Sequence, residues 1–265
     1  MMDFMCSSLL KNDLIIGESS QISNYMSSEL VRVSSRNIPN HIYQTNWERV
    51  YICFAEQRTV YAHDIAFKEE FNKINVDLTL EVVKKINAKE IVYFSTVELW
   101  SNCSGAISLN TDFDFEENYY TISKYKAAKI LKEIENVIIL YPFNFNSRYR
   151  SSNFLMGKIF QSLLCKKKIE VGNLDWNRDI LHAKWVASQA EITKQSQIIG
   201  SGTYFNVREY AKDLYKKFNM NYEEYVFESS QSSQKKLTYL SSEKILYSYD
   251  QLLSDTLLDL KQAYL

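Results

Sequence analysis

A tyrosine and a lysine four residues apart give this 265-residue chain a candidate acid/base centre. If the segment after Asn118 is helical, Tyr120 and Lys124 stand one turn apart on the same face. A phenol ordinarily titrates near ~10, and a neighbouring ammonium favours the phenolate and lowers that pKa. The pair therefore predicts a proton donor or acceptor for a substrate hydroxyl or ketone. Tyr125 and Lys129 repeat the spacing, so position in a longer pattern must decide between the two pairs.

The composition is that of an ordinary globular protein, with 46% hydrophobic and 24% charged residues and a net charge of −1. This balance gives no reason to expect nucleic acid or an anionic membrane as a partner. The cysteines and histidines are dispersed, so we expect neither a disulfide framework nor a metal site. Asp3 and Lys11 interrupt the N-terminus where a signal peptide needs an apolar core, which favours a cytoplasmic protein. The Ser- and Gln-rich stretch 229–236 predicts a surface loop.

Short apolar runs predict buried strands that alternate with helices. A strand at 13–17 that ends in Gly17 and continues into a helix at 18–26 would form a phosphate site, because free backbone N–H groups and the helix dipole face an anion. Further strands are predicted at 30–36, 49–55, 90–96 and 136–144, and further helices at 67–87, after Asn118 and at 247–265.

The first turn resembles a family fingerprint. Gly17-x-x-Ser20-x-x-Ser23 is similar to the G-x-x-G-x-x-G motif of the extended short-chain dehydrogenase/reductase family, with serine at two glycine positions. The resemblance implies that Gly17, Ser20, Gln21 and Ile22 hold a dinucleotide. The next strand ends in Ser35 and Arg36 instead of an acidic residue, and a guanidinium suits a 2′-phosphate. We therefore expect NADP, with NAD as the alternative.

The segment before the Tyr120 helix resembles nucleotide-sugar dehydratases of the same family. Ser95-Thr96-Val97-Glu98 is similar to their S-T-D-E run, with Val97 where many members have an acid. The resemblance implies that Thr96 bonds the substrate oxygen on which Tyr120 acts. It also implies that Glu98 is an additional base and that Lys124 lowers the pKa of Tyr120 and holds a ribose hydroxyl.

Two later segments continue the resemblance. Residues 171–184 resemble the L-G-N-x-D-x-x-R-D-x-x-H-A-K segment of GDP-mannose 4,6-dehydratases, which implies that Arg178 binds a diphosphate. Residues 141–144 resemble an R-P-x-N segment, with Tyr141 in place of the arginine. The remaining implied cofactor residues are Ala55, Ser95, Tyr120, Lys124 and Pro142, and the implied substrate residues are Asn144, Arg148, Arg178 and His182.

The matching segments follow the family order from about residue 13 to residue 220. The resemblance therefore implies an α/β fold, a Rossmann-type doubly wound parallel sheet with a smaller C-terminal substrate-binding lobe. We expect the dinucleotide-binding domain at 1–145, re-entered by about 195–218, and mainly the sugar-nucleotide lobe at 146–265.

The implied function is an NAD(P)-dependent nucleotide-sugar oxidoreductase. The short chain, Val97 and Arg36 favour a reductase of a 4-keto-6-deoxy nucleotide sugar for surface-polysaccharide synthesis. Glu98 and the segment around Arg178 favour a 4,6-dehydratase, and an epimerase stays open. A catalytically degenerate nucleotide-binding homologue is the alternative of another class. We expect a GDP-linked sugar, with dTDP as the second choice, and a homodimer formed by the helices that begin near Phe67 and Tyr120.

Overall fold

The computed structural model describes residues 12–229, 239–242 and 247–263. The loop predicted at 229–236 lies outside these ranges apart from Ser229, and the N-terminal residues Asp3 and Lys11 lie outside them as well. None of the helices within the described ranges is long and apolar enough to span a bilayer.

Strands and helices alternate along the described chain. The strands are β1 (Asp13–Ile16), β2 (Val31–Val33), β3 (Asn46–Ile52), β4 (Asn87–Phe94), β5 (Gly105–Ile107), β6 (Val137–Pro142), β7 (Asn144–Asn146), β8 (Ile169–Val171), β9 (Asn177–Arg178), β10 (Ile180–His182), β11 (Gln197–Ile199), β12 (Phe205–Asn206), β13 (Val226–Glu228) and β14 (Tyr239–Ser241). The α-helices are α1 (Asn40–Gln44), α2 (Lys68–Asn72), α3 (Thr79–Lys85), α4 (Tyr119–Leu131), α5 (Leu155–Cys165), α6 (Ala183–Ile192), α7 (Val207–Lys217), α8 (Tyr222–Tyr225) and α9 (Tyr249–Gln262).

Six strands form the central sheet in the order β11-β6-β4-β3-β1-β2. The registered pairs β1–β2, β1–β3, β3–β4 and β6–β11 are all parallel. Every residue of β1 and β6 is buried, as expected for strands covered on both faces. The predicted Rossmann-type parallel sheet is confirmed. Its order reverses between β1 and β3, and ligands of such sheets bind where the strand order reverses.

The chain divides into two compact units. The first contains the residues up to Phe94 and Asn118–Ile139, and the second contains Ser95–Glu117 and the residues from Leu140 onwards. Strands β1 to β4 and helices α1 to α4 therefore belong to the first unit. In the second unit, two-stranded pairs join β7 to β10, β8 to β13, β9 to β12 and β5 to β14.

The prediction of a helix at 18–26 is wrong, because the structure has only a 3-10 turn at Ser23–Tyr25 between β1 and β2. Local hydrogen bonds compete with a helix here. The Ser23 hydroxyl donates to the backbone carbonyls of Glu18 and Ser20 at 2.7 and 2.8 Å. The guanidinium of Arg32 donates to three more carbonyls, those of Ser23, Met26 and Ser27.

The helix predicted at 67–87 is confirmed, with an added feature in its middle. A π-helical segment, Lys73–Leu78, joins α2 to α3 without a break. Insertions of this kind are rare and frequently lie at functional sites. The predicted C-terminal helix is also confirmed, as α9.

Candidate active site

Helix α4 begins with a capping box that fixes where Tyr120 and Lys124 stand. The backbone N–H of Thr121 donates to the Asn118 side chain at 3.0 Å, and the Thr121 hydroxyl accepts from the Asn118 backbone N–H at 3.1 Å. Such a pair satisfies two backbone donors at a helix start. The first helical N–H, that of Tyr119, donates to the carbonyl of Ala62 at 2.8 Å. The start of α4 is therefore fixed from two sides.

Lys124 is buried and bonded to the end of β4. Its side chain is 2% exposed, and its Nζ donates to the backbone carbonyl of Phe94 at 2.6 Å and to the Tyr93 hydroxyl at 3.1 Å. Burial lowers the pKa of Lys124 to about 7. The ammonium has three N–H donors, and the third has no partner among the described residues. This lysine can therefore donate a hydrogen bond to a ligand and can exchange a proton near neutral pH.

Tyr120 is half-buried, with its ring edge-on to Phe71 of α2 at a centroid distance of 6.2 Å. The following serine ties this turn of α4 to the π-helical segment. The Ser123 hydroxyl donates to the Tyr120 carbonyl at 2.8 Å and accepts from the Asn75 side-chain amide at 2.9 Å. The turn that carries Tyr120 is thus held from a neighbouring helix.

Asn75 also binds the loop that follows β3. Its side-chain oxygen accepts from the backbone N–H of Glu56 at 2.7 Å, and its amide donates to the Glu56 carbonyl at 3.2 Å. The Glu56 carboxylate pairs with Arg58, which also binds Glu70. Burial raises the pKa of Glu56, but the hydrogen bonds from Arg58 outweigh it, so the pKa lies below its ordinary value. These contacts join the loop after β3 to the π-helical segment and to α4.

Gly17 makes the turn after β1, where the sheet order reverses. Its φ is +104°, and a Cβ at this position would lie 2.7 Å from the Phe54 backbone nitrogen and 2.9 Å from the Cys53 carbonyl carbon. Only glycine fits so close an approach at a positive φ. Of the other predicted cofactor residues near this turn, Ile22 is buried, whereas Ser20, Gln21 and Ala55 are half-buried.

The two arginines near the end of β2 differ in their surroundings. Arg32 is committed to backbone carbonyls, as described above. Arg36 is exposed, and its guanidinium has no hydrogen-bond partner in the described part of the chain. Ser35 beside it is half-buried. Arg36 is therefore the one of these two arginines that is free to meet a ligand phosphate.

In the second unit, the segment after β4 carries the predicted hydroxyls and the acid. Thr96 is buried and caps the 3-10 turn Val97–Trp100 by accepting from the Glu98 backbone N–H at 3.2 Å. The Ser95 hydroxyl is buried without a hydrogen-bond partner among the described residues. Burial raises the pKa of Glu98, while the charge of Arg178 opposes the shift. Glu98 therefore holds a proton more readily than an exposed glutamate.

Arg178 and Tyr239 are near enough to Glu98 to interact with its charge. The Arg178 guanidinium stacks on the Trp176 ring at 4.2 Å, and its Nε has no hydrogen-bond partner among the described residues. Tyr239 is fully buried, and its hydroxyl also lacks a partner there. Buried polar atoms are normally paired, so these two groups are candidates to bind a ligand, as is the side-chain amide of Asn144, which also has no partner in the described part of the chain.

Two predicted substrate residues instead contact α9. The Asp259 carboxylate accepts from the Arg148 backbone N–H at 2.7 Å and lies 3.2 Å from His182 Nε2. His182 Nδ1 accepts from the Lys184 backbone N–H at 3.2 Å and so caps α6. Both ring nitrogens are thus bonded within the unit. The Arg148 guanidinium also lies against α9 and Tyr149.

The residues near the glycine turn and α4 fit a dinucleotide in part. Lys124 offers a spare N–H to a ribose hydroxyl, Arg36 offers a guanidinium to a phosphate, and Gly17 keeps the turn that the fold uses for a pyrophosphate. The helix dipole that usually assists this binding is lacking, because only the 3-10 turn follows. Pro142, also predicted at the cofactor, ends β6 and is buried. No cluster of three or more acidic, histidine or cysteine side chains that could hold a metal occurs in the described ranges.

The parallel sheet and the Tyr120–Lys124 helix define a protein of the extended short-chain dehydrogenase/reductase class. Residues 31–191 match the model of the NAD-dependent epimerase/dehydratase family, and the chain belongs to that family. The match begins at β2 and so leaves out the serine-containing turn. No curated protein sequence matches the chain significantly.

Solved structures with the same fold cover nearly the whole chain at low identity. RMD from Pseudomonas aeruginosa, solved with NADPH, has a TM-score of 0.76 at 15% identity and covers 95% of this chain and 100% of its own. A UDP-N-acetylglucosamine 4-epimerase from Methanobrevibacter ruminantium has a TM-score of 0.77 at 13% identity, and the match covers 96% of this chain and 99% of the epimerase. A dTDP-glucose 4,6-dehydratase from Bacillus anthracis, solved with NAD, has a TM-score of 0.72 at 16% identity, and the match covers 95% of this chain and 97% of the dehydratase. At these identities the similarity establishes the fold alone.

Sequence reasoning missed the residues whose roles depend on contacts between distant segments. Tyr93, Tyr239 and Asp259 carry no motif, and their burial and partners appear only in the folded chain. Asn75 had a signal, since it opens an N-V-x-x-T segment that resembles one of the extended family, but its partners Glu56 and Ser123 had none.

Proposed function

We propose that this protein is an NADPH-dependent reductase of a 4-keto-6-deoxy nucleotide sugar. The observation that carries the proposal is the state of Lys124, which is buried and bonded to the end of β4, with a third N–H that has no partner among the described residues. A solvated helix-face lysine, such as the exposed Lys129 of the second pair, would have none of these properties.

A bound NADPH would supply the hydride that reduces the keto carbon of the substrate. Tyr120 donates its phenolic proton to the carbonyl oxygen as negative charge develops there, so that the ketone becomes an alcohol. Lys124 stabilises the phenolate that remains, because an adjacent positive charge favours the ionised phenol. Thr96 orients the substrate oxygen through its hydroxyl. Arg178 and Asn144 bind the diphosphate through N–H groups that have no partner among the described residues.

The turn after β1 favours a reductase over a dehydratase or epimerase. A dehydratase or epimerase regenerates its cofactor within each cycle, whereas a reductase must release the oxidised cofactor and bind a reduced one. Replacing a helix start by the Ser23–Tyr25 turn removes an interaction with phosphate worth up to ~2 kcal/mol. A lower affinity for the pyrophosphate of the cofactor suits an enzyme that must exchange oxidised for reduced cofactor at every turnover. The exposed guanidinium of Arg36 supports NADP as the cofactor.

A second candidate function is a nucleotide-sugar 4,6-dehydratase, which Glu98 favours. Burial raises the pKa of Glu98, and a carboxyl that takes up a proton more readily than an exposed glutamate suits removal and return of a proton next to a ketone. Val97 is 1% exposed and apolar, so the acid that many dehydratases place beside this glutamate is lacking. The proposal of a reductase also includes a GDP-linked substrate and a role in surface-polysaccharide synthesis in the cytoplasm. It further includes a homodimer formed through α2, α3 and α4. Light scattering on a size-exclusion column tests the dimer.

The deciding experiment follows NADPH absorbance after addition of GDP-4-keto-6-deoxymannose, with the dTDP-linked ketone in parallel. We expect NADPH loss that falls by about 10²- to 10⁴-fold in Tyr120→Phe, the range for removal of a general acid. Tyr125→Phe is the matched control, because it removes the tyrosine of the second pair on the same helix, and it should keep the rate.

If neither ketone consumes NADPH, the reductase assignment is wrong, and loss of water from GDP-mannose, followed by mass spectrometry, tests the dehydratase. Cofactor binding without turnover of any of these sugars would instead support a nucleotide-binding homologue that lacks activity.

A further inference from the structure

Tyr93, the penultimate residue of β4, contacts Lys124 in two ways. Its hydroxyl accepts the 3.1 Å hydrogen bond from Nζ, and the centre of its ring lies 4.6 Å from the same nitrogen. Tyr93 is fully buried, so neither contact is shared with solvent. An ammonium close to an aromatic face is attracted by the ring quadrupole.

The neighbouring residue completes the attachment. The carbonyl of Phe94, next in the strand, accepts a second hydrogen bond from Nζ at 2.6 Å. A lysine side chain has four rotatable bonds and loses considerable entropy when it is held in one place. Two acceptors and a ring face on adjacent residues of one strand fix the ammonium and direct its third N–H away from β4.

We propose that Tyr93 is a positioning residue for the reaction, one that holds the Lys124 ammonium at the end of β4 through its hydroxyl and its ring. This inference rests on the proposed function, because Lys124 matters only if Tyr120 transfers a proton. It goes beyond that function by assigning a role to a residue outside the Tyr-x-x-x-Lys and Ser-Thr motifs.

In the described part of the chain, uncharged polar groups hold the Lys124 ammonium. Burial is the cause of the lowered pKa of Lys124, and no charged side chain in the described ranges contributes to it. The charged groups that reach α4 through Asn75 and Ser123 are Glu56, Arg58 and Glu70, and they pair with one another. Within the described ranges, Tyr93 is the titratable side chain in contact with the Lys124 ammonium. Removing the Tyr93 hydroxyl should therefore lower the pKa of Lys124 further, because the charged form loses an acceptor.

The first test is the pH profile of kcat/KM for Tyr93→Phe, which keeps the ring and removes the hydroxyl. The alkaline limb, where Lys124 loses its proton, should move to lower pH by about one unit, since a hydrogen bond to a charged group is worth roughly a tenfold change in equilibrium. At pH 8 the rate should fall about tenfold, while KM for NADPH changes little.

The matched control is Tyr51→Phe. Tyr51 is a buried tyrosine on the neighbouring strand, in register with Val92, and its hydroxyl bonds Arg49 instead of Lys124. The alkaline limb of the kcat/KM profile of Tyr51→Phe should coincide with that of the natural protein. Equal shifts in both variants would mean a general loss of packing and would overturn the inference.

A second measurement is independent of any substrate. With ¹³C at the ε-carbon of lysine, the NMR signal that disappears in Lys124→Met belongs to Lys124, and its titration gives the pKa directly. We expect a lower pKa in Tyr93→Phe and an unchanged one in Tyr51→Phe. An unchanged titration in Tyr93→Phe refutes the positioning role even if the protein turns over no sugar, whereas a shifted titration with an inactive natural protein refutes only the proposed function.

Discussion

The Nζ of Lys124 lies 2.6 Å from the carbonyl oxygen of Phe94, so a buried ammonium closes the end of strand β4. This contact joins a helix residue to a strand residue thirty positions earlier in the chain. The lysine is 2% exposed, and this burial lowers its pKa to about 7. The same burial has a cost in stability, and that cost depends on pH.

Lys124→Met should raise the free energy of unfolding at and below neutral pH. The pKa of Lys124 in the folded protein, about 7, is below the ordinary value of 10.5, so the unfolded chain binds the proton more readily. Below about pH 7 the lysine is charged in both states, and burying that charge destabilises the fold. Between about pH 7 and 10.5 this penalty fades as pH rises. We expect a gain on the order of several kcal/mol at pH 6 and almost none at pH 10.5. Urea unfolding at both pH values measures it, and a gain that grows with pH would contradict the burial argument.

Gly17→Ala should destabilise the protein far more than Gly105→Ala. Both glycines have positive φ, +104° and +80°, so both substitutions carry a backbone cost of about 1–2 kcal/mol. At Gly17 the added Cβ also meets backbone atoms at 2.7 and 2.9 Å, whereas nothing lies within 4 Å at Gly105. We expect Gly17→Ala to lower the melting temperature further and to weaken NADPH binding, as measured by calorimetry. Equal effects at the two sites would mean that the close approach to Cys53 and Phe54, just after β3, is unimportant.

Glu228→Gln should destabilise the second unit in a pH-dependent way. The carboxylate accepts from Arg208 Nε and Nη2 at 2.9 and 2.8 Å, from Tyr222 at 2.8 Å and from the Leu174 N–H at 3.0 Å. These bonds, those from Arg208 first, lower the pKa of Glu228 to about 2. A depressed folded pKa gives stability that is present above about pH 4.3 and lost as pH falls toward 2. We expect a loss of ~1–3 kcal/mol at pH 7 in urea unfolding.

The control for this prediction is Glu170→Gln on β8, a glutamate that is exposed and not part of the Arg208 cluster. It should stay within ~0.5 kcal/mol of the natural protein. The Glu228 effect should also shrink markedly in an Arg208→Gln background, because the two residues share one interaction. Full additivity of the two substitutions would argue against a coupled pair.

Tyr239→Phe should change KM and spare stability, whereas Tyr247→Phe should lower stability and spare KM. The Tyr239 hydroxyl is buried without a partner in the described ranges, so its removal should leave stability unchanged or slightly raise it. If Tyr239 contacts the nucleotide sugar together with Arg178, the same change should raise KM severalfold. The Tyr247 hydroxyl donates to Asp255 at 3.1 Å, so Tyr247→Phe should cost about 1–2 kcal/mol and leave KM unchanged. Thermal unfolding and initial rates on both variants distinguish the two cases.

The sequence by itself determined the elements whose signal is local. The apolar runs of β1, β4 and β6 and the four-residue spacing of Tyr120 and Lys124 are read directly from the residue pattern. The Rossmann-type sheet and the family were implied by the resemblance of several motifs to the extended short-chain dehydrogenase/reductase family in the family's own order, and the alternation of strands and helices agrees with such a sheet.

Only the tertiary structure shows which side chains of these local patterns are buried and which distant residues they contact. Tyr125 and Lys129 have the same spacing as Tyr120 and Lys124, yet Lys129 is exposed and Lys124 is buried against β4. The helix predicted after Gly17 gives way to a 3-10 turn, because the Ser23 hydroxyl and Arg32 bind its carbonyls. Periodicity reports the face of one element, whereas burial and partner choice depend on which distant segment packs against that face.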